Sequence, residues 1–270
     1  MANLLQGRYR LSGLRRRPAG LPPNIEPIAA DLCDEAAVAQ ALAGRHVDYV
    51  VITLTPGERT EQRYRAVYVD GTRNLLSALA GQPKVLFVSS TSVYGQDAGE
   101  PVDETSEALG SGFSGRVLCE AEQQVLDSGL PATLVRFSGI YGPGRERLLR
   151  LVREGKVDVG GAAQWTNRIH ADDCARVLAF LLDRWQSGIR PQRCYVASDT
   201  RPVQAGEVWQ WLAAELAQAD PLAGIHWQRQ AATGKRCDSS LLQREGFHYR
   251  YPDFQSGYRG LLPGKNRQPE

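Results

Sequence analysis

The 270-residue sequence predicts an α/β fold: a doubly wound layer of parallel strands, with a smaller lobe formed by the carboxyl-terminal half. Three observations carry this reading. Short β-rich runs alternate with helical patterns up to Phe137, the connections between them are short, and beyond Phe137 the texture shifts to Gly/Pro turns and further helical stretches. Strand, helix, strand with short links demands right-handed crossovers and therefore a parallel sheet covered on both faces. Such sheets take ligands at the carboxyl ends of their strands.

In chain order, YRLSGL (9–14), IEPIAA (25–30), DYVVITL (48–54), KVLFVSS (84–90) and ATLVRF (132–137) are mostly aliphatic, β-branched or aromatic, as strands buried on both faces must be. Between them, DEAAVAQALAG (34–44) and TEQRYRAVYVDGTRNLLSALAG (60–81) carry apolar residues at helical spacing and end on Gly, and residues 116–126 supply a third helix. SGIYGPGRE (138–146) reads as a turn region; helical patterns at 171–184 and 206–218 follow, with strand-like CYVAS (194–198) between them. Residues 1–137 thus form the core and 138–270 a lobe interleaved with the core's last strands. The sequence shows no internal repeat, and the tail GKNRQPE is expected to fray.

Lys plus Arg number 32 against 30 Asp plus Glu, a formal charge of +2, so no basic field points to nucleic acid. Much of the basicity is local, from Arg8 to Arg17. Cys33, Cys119, Cys174, Cys194 and Cys237 lie far apart, show no metal-ligand spacing and cannot all pair; they read as small buried apolar residues in a reducing compartment. The four His do not cluster with Cys, so no metal is expected. No apolar run approaches the roughly 18 residues of a membrane span, and Met1 opens no signal-peptide pattern. The expectation is a cytoplasmic monomer or homodimer without nucleic-acid or membrane partners.

Four stretches, VYVDGTRNLL (67–76), SSTSVYG (89–95), VRFSGIYGPGR (135–145) and RIHADDCARVLAFLL (168–182), in this order and spacing resemble the extended short-chain dehydrogenase/reductase superfamily, of the NAD-dependent epimerase/dehydratase type. GKRCDSSLLQREGFHYRYPDFQSGY is similar to the closing segment of that family, so the resemblance covers nearly the whole chain. It implies a Rossmann-like core, a substrate lobe, a bound NADP or NAD, and a sugar-nucleotide or small carbonyl substrate. Three functional readings follow: an epimerase, dehydratase or reductase; a non-catalytic dinucleotide-binding sensor or regulatory protein; and a scaffold that binds no nucleotide.

The resemblance also implies roles for particular residues. Ser90, four positions before Tyr94, is the hydroxyl that would hydrogen-bond the reacting oxygen; a Ser at the end of a buried strand suits a fixed donor, though Ser89 to Ser92 would equally cap the next turn. The family's Tyr-x-x-x-Lys is not found in SGFSGRVLCEAE (111–122). With Arg116 at the Lys position, Gly112 stands where Tyr belongs; two residues on, the pair is Ser114 and Leu118, and the adjacent Phe113 has no acid. Arg116 retains the charge to hold a ribose. Tyr94 and Tyr141 are the phenols near the expected cleft, Tyr94 having packing under the turn as its alternative.

For the dinucleotide, the resemblance assigns Asp31 and Leu32 to the adenine, Thr53, Leu54 and Thr55 to the pyrophosphate and ribose, and Ser138 to a further contact; Asp31 alternatively caps the helix at Asp34. Asp172 and Asp173 read as caps of the helix 173–184, with His170 beside them, and Trp209, Trp211, Leu148, Leu149 and Val152 as core or interface. Members of this family open with a strand, a Gly-rich turn and a helix that cradles the pyrophosphate. Here MANLLQ resembles the end of that helix and GRYRLSGL the second strand. Loss of a central strand would exceed the ~5–15 kcal/mol stability of a domain, so the translated start is expected upstream; the alternative is direct pairing of strands two and four with a degraded phosphate site. Arg15 and Arg16 stand where NAD-preferring members carry an acid, which suits a 2′-phosphate and predicts NADP preference, against a solvated cluster; Arg17 points to solvent.

Overall fold

A computed structural model describes residues 1–262. GKNRQPE, expected to fray, lies outside the described residues. In chain order the elements are α1 (Ala2–Leu5), β1 (Leu11–Arg15), β2 (Ile25–Ala29), α2 (Glu35–Leu42), β3 (Tyr49–Ile52), α3 (Glu61–Tyr64), α4 (Gly71–Ala78), β4 (Lys84–Ser90), β5 (Ala98–Val102), α5 (Gly112–Asp127), β6 (Ala132–Phe137) and β7 (Gly139–Tyr141). There follow α6 (Arg147–Arg153), β8 (Trp165–Thr166), β9 (Arg168–His170), α7 (Ala171–Gln186), β10 (Cys194–Ala197), β11 (Val203–Gln204), α8 (Ala205–Glu215), β12 (Gly234–Cys237), α9 (Ser240–Arg244) and α10 (Phe254–Arg259). They form two compact units: Met1–Gly95 with Glu107–Arg136 and Ala175–Tyr195, and Gln96–Ser106 with Phe137–Cys174 and Val196–Glu270. Segment 96–106 thus leaves the first half of the chain for the second unit, and most of α7 returns to the first.

The first unit is the Rossmann-like α/β layer. Its strands run in the order β10-β6-β4-β3, with β3 and β4 parallel and Tyr49 opposite Lys84 through Ile52 opposite Phe87. β1 and β2 form a second parallel pair, Leu11 opposite Ile25 through Arg15 opposite Ala29. Among the described residues β1 does not pair with β3, so the direct pairing of the second and fourth expected strands does not form. The apolar runs of the strands meet α2, α4 and α5 in a core that includes Val38, Ile52, Phe87, Val117, Val125 and Leu134. Asp34 caps α2 by accepting the Ala37 N–H at 3.0 Å, and Thr60 caps α3 by accepting the Arg63 N–H at 3.3 Å. The helix expected over 60–81 is interrupted by a π turn, Arg65–Asp70. β-branched Val67 and Val69 are buried there, and at Gly71 a Cβ would stand 3.1 Å from the Leu32 side chain, so the wide turn brings the helix backbone against the 31–33 loop.

The second unit holds smaller pairings: β5 with β12 and β7 with β9, both parallel, and β8 with β11, antiparallel. Its core gathers Tyr141, Leu149, Trp209, Leu212, Phe254 and Tyr258, with Leu148 and Trp211 packed against it, so the apolar stripes of the lobe are core. Asp253 and Ser256 form a capping box that starts α10. None of the five cysteines is in a disulfide; Cys174 and Cys237 are buried and the other three half-buried. Among the described residues no helix is long and apolar enough to cross a membrane, and no group of three His, Cys, Asp or Glu side chains is placed to hold a metal.

Candidate functional site at the carboxyl ends of the strands

The expected site residues of the first unit follow the strand ends. β4 ends on Ser90, which is half-buried and accepts the Ser92 N–H on Oγ at 3.2 Å. That bond serves the cap of the 91–93 turn and leaves the Ser90 O–H hydrogen to donate. Both readings of Ser90 therefore fit one geometry.

Tyr94 closes that turn with no exposed surface. Its hydroxyl accepts from an Arg136 guanidinium nitrogen at 2.9 Å, and Arg136 holds Glu122 through two hydrogen bonds of 3.0 and 2.6 Å. Burial works against the Arg136 charge, but the Glu122 bonds outweigh it and raise its pKa. The Tyr94 phenol is thus part of an interior polar network and faces no open surface. It fastens β4, α5 and β6 together.

α5 opens at Gly112, and its first turn carries Phe113 and Ser114, both half-buried. Leu118 points inward with 4 % exposure, while Arg116 is exposed. The family's phenol and ammonium positions are therefore filled by a small or apolar group in one register, and by glycine and a solvent-facing guanidinium in the other. Phe113 packs edge-on against Tyr64 at 5.3 Å, and Tyr64 leans on Tyr68 at 5.5 Å. Tyr68 donates to the Leu54 carbonyl at 3.2 Å, and burial pushes its pKa up to about 12. Tyr64 and Tyr68 belong to no motif that marks a site in the sequence. Their spacing of four on an expected helix next to DYVVITL was the available signal, since it puts both phenols on one face.

Thr53, Leu54 and Thr55 follow β3, with both threonines exposed and Leu54 half-buried. Asp31 does not cap α2, a role taken by Asp34; it accepts the Cys33 N–H at 3.0 Å and lies 3.9 Å from the Arg16 Nε. The Leu32 carbonyl is held by the buried Asn74 side-chain amide at 2.8 Å, which fixes the backbone of this loop. Arg15, Arg16 and Arg17 are all exposed around the end of β1, so Arg15 and Arg16 are open to a ligand. Asp31, Leu32, Arg15 and Arg16 thus share one corner of the first unit.

Ser138 belongs to the second unit, where it is buried, its Oγ without a hydrogen-bond partner among the described residues and its N–H bonded to the Ala197 carbonyl at 3.1 Å. Tyr141 is in that unit's core: 4 % exposed, stacked on Tyr258 at 4.5 Å, its pKa raised by burial. α7 begins before the two aspartates, so Asp172 and Asp173 lie in its first turn and neither is its N-cap. Asp173 instead accepts the N–H groups of Arg250 and Tyr251, each at 2.9 Å, pinning the later segment. His170 accepts the Asp172 N–H on Nδ1 at 3.2 Å and lies against the Tyr251 ring at 3.9 Å; burial lowers its pKa.

A parallel sheet with hydroxyl groups, a fixed backbone loop and arginines at its strand ends places the chain in the Rossmann-like class of α/β proteins. Within that class, it belongs to the NAD dependent epimerase/dehydratase family, whose sequence profile matches residues 1–197. Protein YeeZ of Escherichia coli (strain K12) is 32% identical over 216 residues, which cover 76% of this chain and 72% of YeeZ. A Methylobacillus flagellatus structure assigned to the NAD-dependent epimerase/dehydratase class superposes with a TM-score of 0.82 at 34% identity, covering 96% of this chain and 91% of that one. The UDP-glucose 4-epimerase of Thermus thermophilus, solved in complex with NAD, shares the fold with a TM-score of 0.72 at 16% identity, covering 94% of this chain and 90% of that one.

Proposed function

We propose that the chain is a dinucleotide-binding oxidoreductase, epimerase or dehydratase of this family, with NADP preferred over NAD and a sugar-nucleotide or small carbonyl compound as substrate. The observation that carries the reading is Ser90: a strand-end hydroxyl that accepts the Ser92 N–H on one lone pair, so that its own proton remains available to donate to an incoming oxygen. On the cofactor side the residues fit an adenosine 2′-phosphate. Arg15 and Arg16 offer exposed guanidinium groups where an acid would repel it, and the Leu32 backbone fixed by Asn74 suits an adenine edge. When bound, the nicotinamide supplies or accepts the hydride. The protein's part is then to grip the phosphate through Arg15 and Arg16, support the ribose side with Thr53, Leu54 and Thr55, and hold the substrate oxygen with Ser90.

A second reading, a dinucleotide-binding protein without turnover, is favoured by one observation. α5 presents Gly112, Phe113 and Ser114 in its first turn and an exposed Arg116, so no phenol with an adjacent ammonium stands ready to move a proton. Titration with NADP(H) and NAD(H), followed by the fluorescence of the five Trp, combined with a carbonyl and sugar-nucleotide panel, separates the two. Saturable binding with turnover that Ser90→Ala reduces at least tenfold, without loss of binding, supports the enzyme. Binding with no turnover supports the sensor, and no binding removes both.

A further inference from the structure

A cavity of about 510 Å³ lies in the second unit, bordered by β5, β8 and β12, and its lining contains none of the residues assigned above to the dinucleotide or to the reacting oxygen. That volume is within the ~300–1,000 Å³ of small-molecule sites. Pro101, Trp165 and Pro202 form its apolar lining, and Arg236, Asp238 and Gln243 bring polar groups to it. Both charged side chains are held in place. The Arg236 Nε donates to the Gly99 carbonyl at 2.8 Å, and the guanidinium carbon lies 5.4 Å from the centre of the Trp165 ring. A Cβ on Gly99, at φ +81°, would stand 3.3 Å from the indole nitrogen, so glycine is what lets β5 offer its carbonyl this close to the ring. With Nε and one face committed, the two terminal amino groups of Arg236 are left to donate.

Asp238 is fixed from both sides. Its N–H donates to the Val102 carbonyl at 2.8 Å, and its Oδ1 accepts the Ser240 N–H at 2.8 Å, which leaves Oδ2 to accept from elsewhere. Arg236 and Asp238 form no ion pair with each other among the described residues, although both line one cavity. Positions two apart are separated by about 6–7 Å along an extended chain. A purely anionic ligand would gain from Arg236 and be repelled by Asp238, and a purely cationic one the reverse. A molecule that carries a carboxylate and an ammonium group matches both, and a flat apolar body suits the indole and the two pyrrolidine rings. We propose that this cavity is a binding site for a zwitterion of the aromatic α-amino acid class. The carboxylate lies on the terminal amino groups of Arg236, the ammonium on Asp238 Oδ2, and the ring against Trp165, Pro101 and Pro202. The site calls on no strand-end residue, so its test needs no dinucleotide.

Isothermal titration of the whole chain compares L-phenylalanine with phenylpropionate, which lacks the ammonium, with phenethylamine, which lacks the carboxylate, and with inorganic phosphate. Phenylalanine should bind one-to-one, each analogue with a single charge about tenfold more weakly or worse, and phosphate more weakly than phenylalanine. Hydrogen exchange should slow at residues 236–240 when phenylalanine is bound. Arg236→Gln should make phenylalanine and phenethylamine bind alike. Asp238→Asn, which keeps an oxygen for the Ser240 N–H, should do the same for phenylalanine and phenylpropionate. Should a variant misfold, the compound series and the exchange data on the unmodified chain decide. No saturable binding, equal affinity for the three organic compounds, phosphate bound as tightly as phenylalanine, or protection confined to other segments overturns the proposal.

Discussion

At the residue scale, the arginines after β1 and the network around Tyr94 illustrate opposite fates for charged groups. Arg136 and Glu122 are 9 % and 4 % exposed, so their pairing has little solvent to compete with, and removing one partner strands a buried charge at a cost of about 3–5 kcal/mol. Arg15 and Arg16 sit in water, and any interaction they make with each other's neighbours is weak. Their free-energy contribution is therefore expected in ligand binding and not in folding. Arg15→Ala with Arg16→Ala should raise the Kd for NADP at least tenfold, with less than a twofold change for NAD and an unaltered melting temperature; isothermal titration with the two cofactors checks this. Equal losses for both cofactors would remove the 2′-phosphate assignment.

At the element scale, α5 owes its position to glycine. Gly115 lies where a Cβ would overlap the Ser92 carbonyl and the Gly110 backbone, so the helix approaches the 91–93 turn at backbone distance. Gly110 itself donates its N–H to the Val93 carbonyl at 2.6 Å and adopts φ +67°, a conformation that side chains resist. The same helix carries Glu122, which ties it to β6 through Arg136 and to the Ser90 turn through Tyr94. Gly115→Ala should therefore push α5 from the turn and destabilise the protein by about 1–3 kcal/mol, read as a lower denaturant midpoint with an unchanged slope. The loss should reach Ser90 as well, because the helix and the strand end share the 91–93 turn.

At the scale of the whole molecule, stability is coupled to pH through a buried carboxyl. Asp199 has no exposed surface; its Oδ1 accepts the Arg201 N–H at 3.2 Å and its Oδ2 has no hydrogen-bond partner among the described residues. Burial pushes its pKa up to about 7, and the neighbouring Arg168 only partly opposes this. An acid whose folded pKa lies above its unfolded value binds its proton more tightly in the native state. Its contribution to stability is thus greatest below about pH 4, declines as pH rises toward 7 and is flat beyond. At about 1.4 kcal/mol per pKa unit the decline reaches at most about 4 kcal/mol. Urea unfolding of Asp199→Asn at pH 5 and pH 8 should show this part of the slope abolished; an unchanged slope would assign the pH dependence to other groups.

What the sequence determined by itself was the alternation of elements. β-branched and aromatic runs at 84–90 and 132–137 became strands with those bounds, because a short, mostly apolar run rich in such residues suits a strand buried on both faces. Strand-end chemistry was legible for the same reason: Ser90 and Thr53 to Thr55 are where the apolar runs stop. Only the tertiary structure decided which polar groups are buried against one another. Tyr94 reads as a phenol beside a turn until Arg136, 42 residues away, is found on its oxygen, and Asp173 reads as a helix cap until the backbone of Arg250 and Tyr251 arrives. The order β10-β6-β4-β3 was likewise invisible in any one segment, since pairing depends on which strands meet in space and each run encodes only its own extended form.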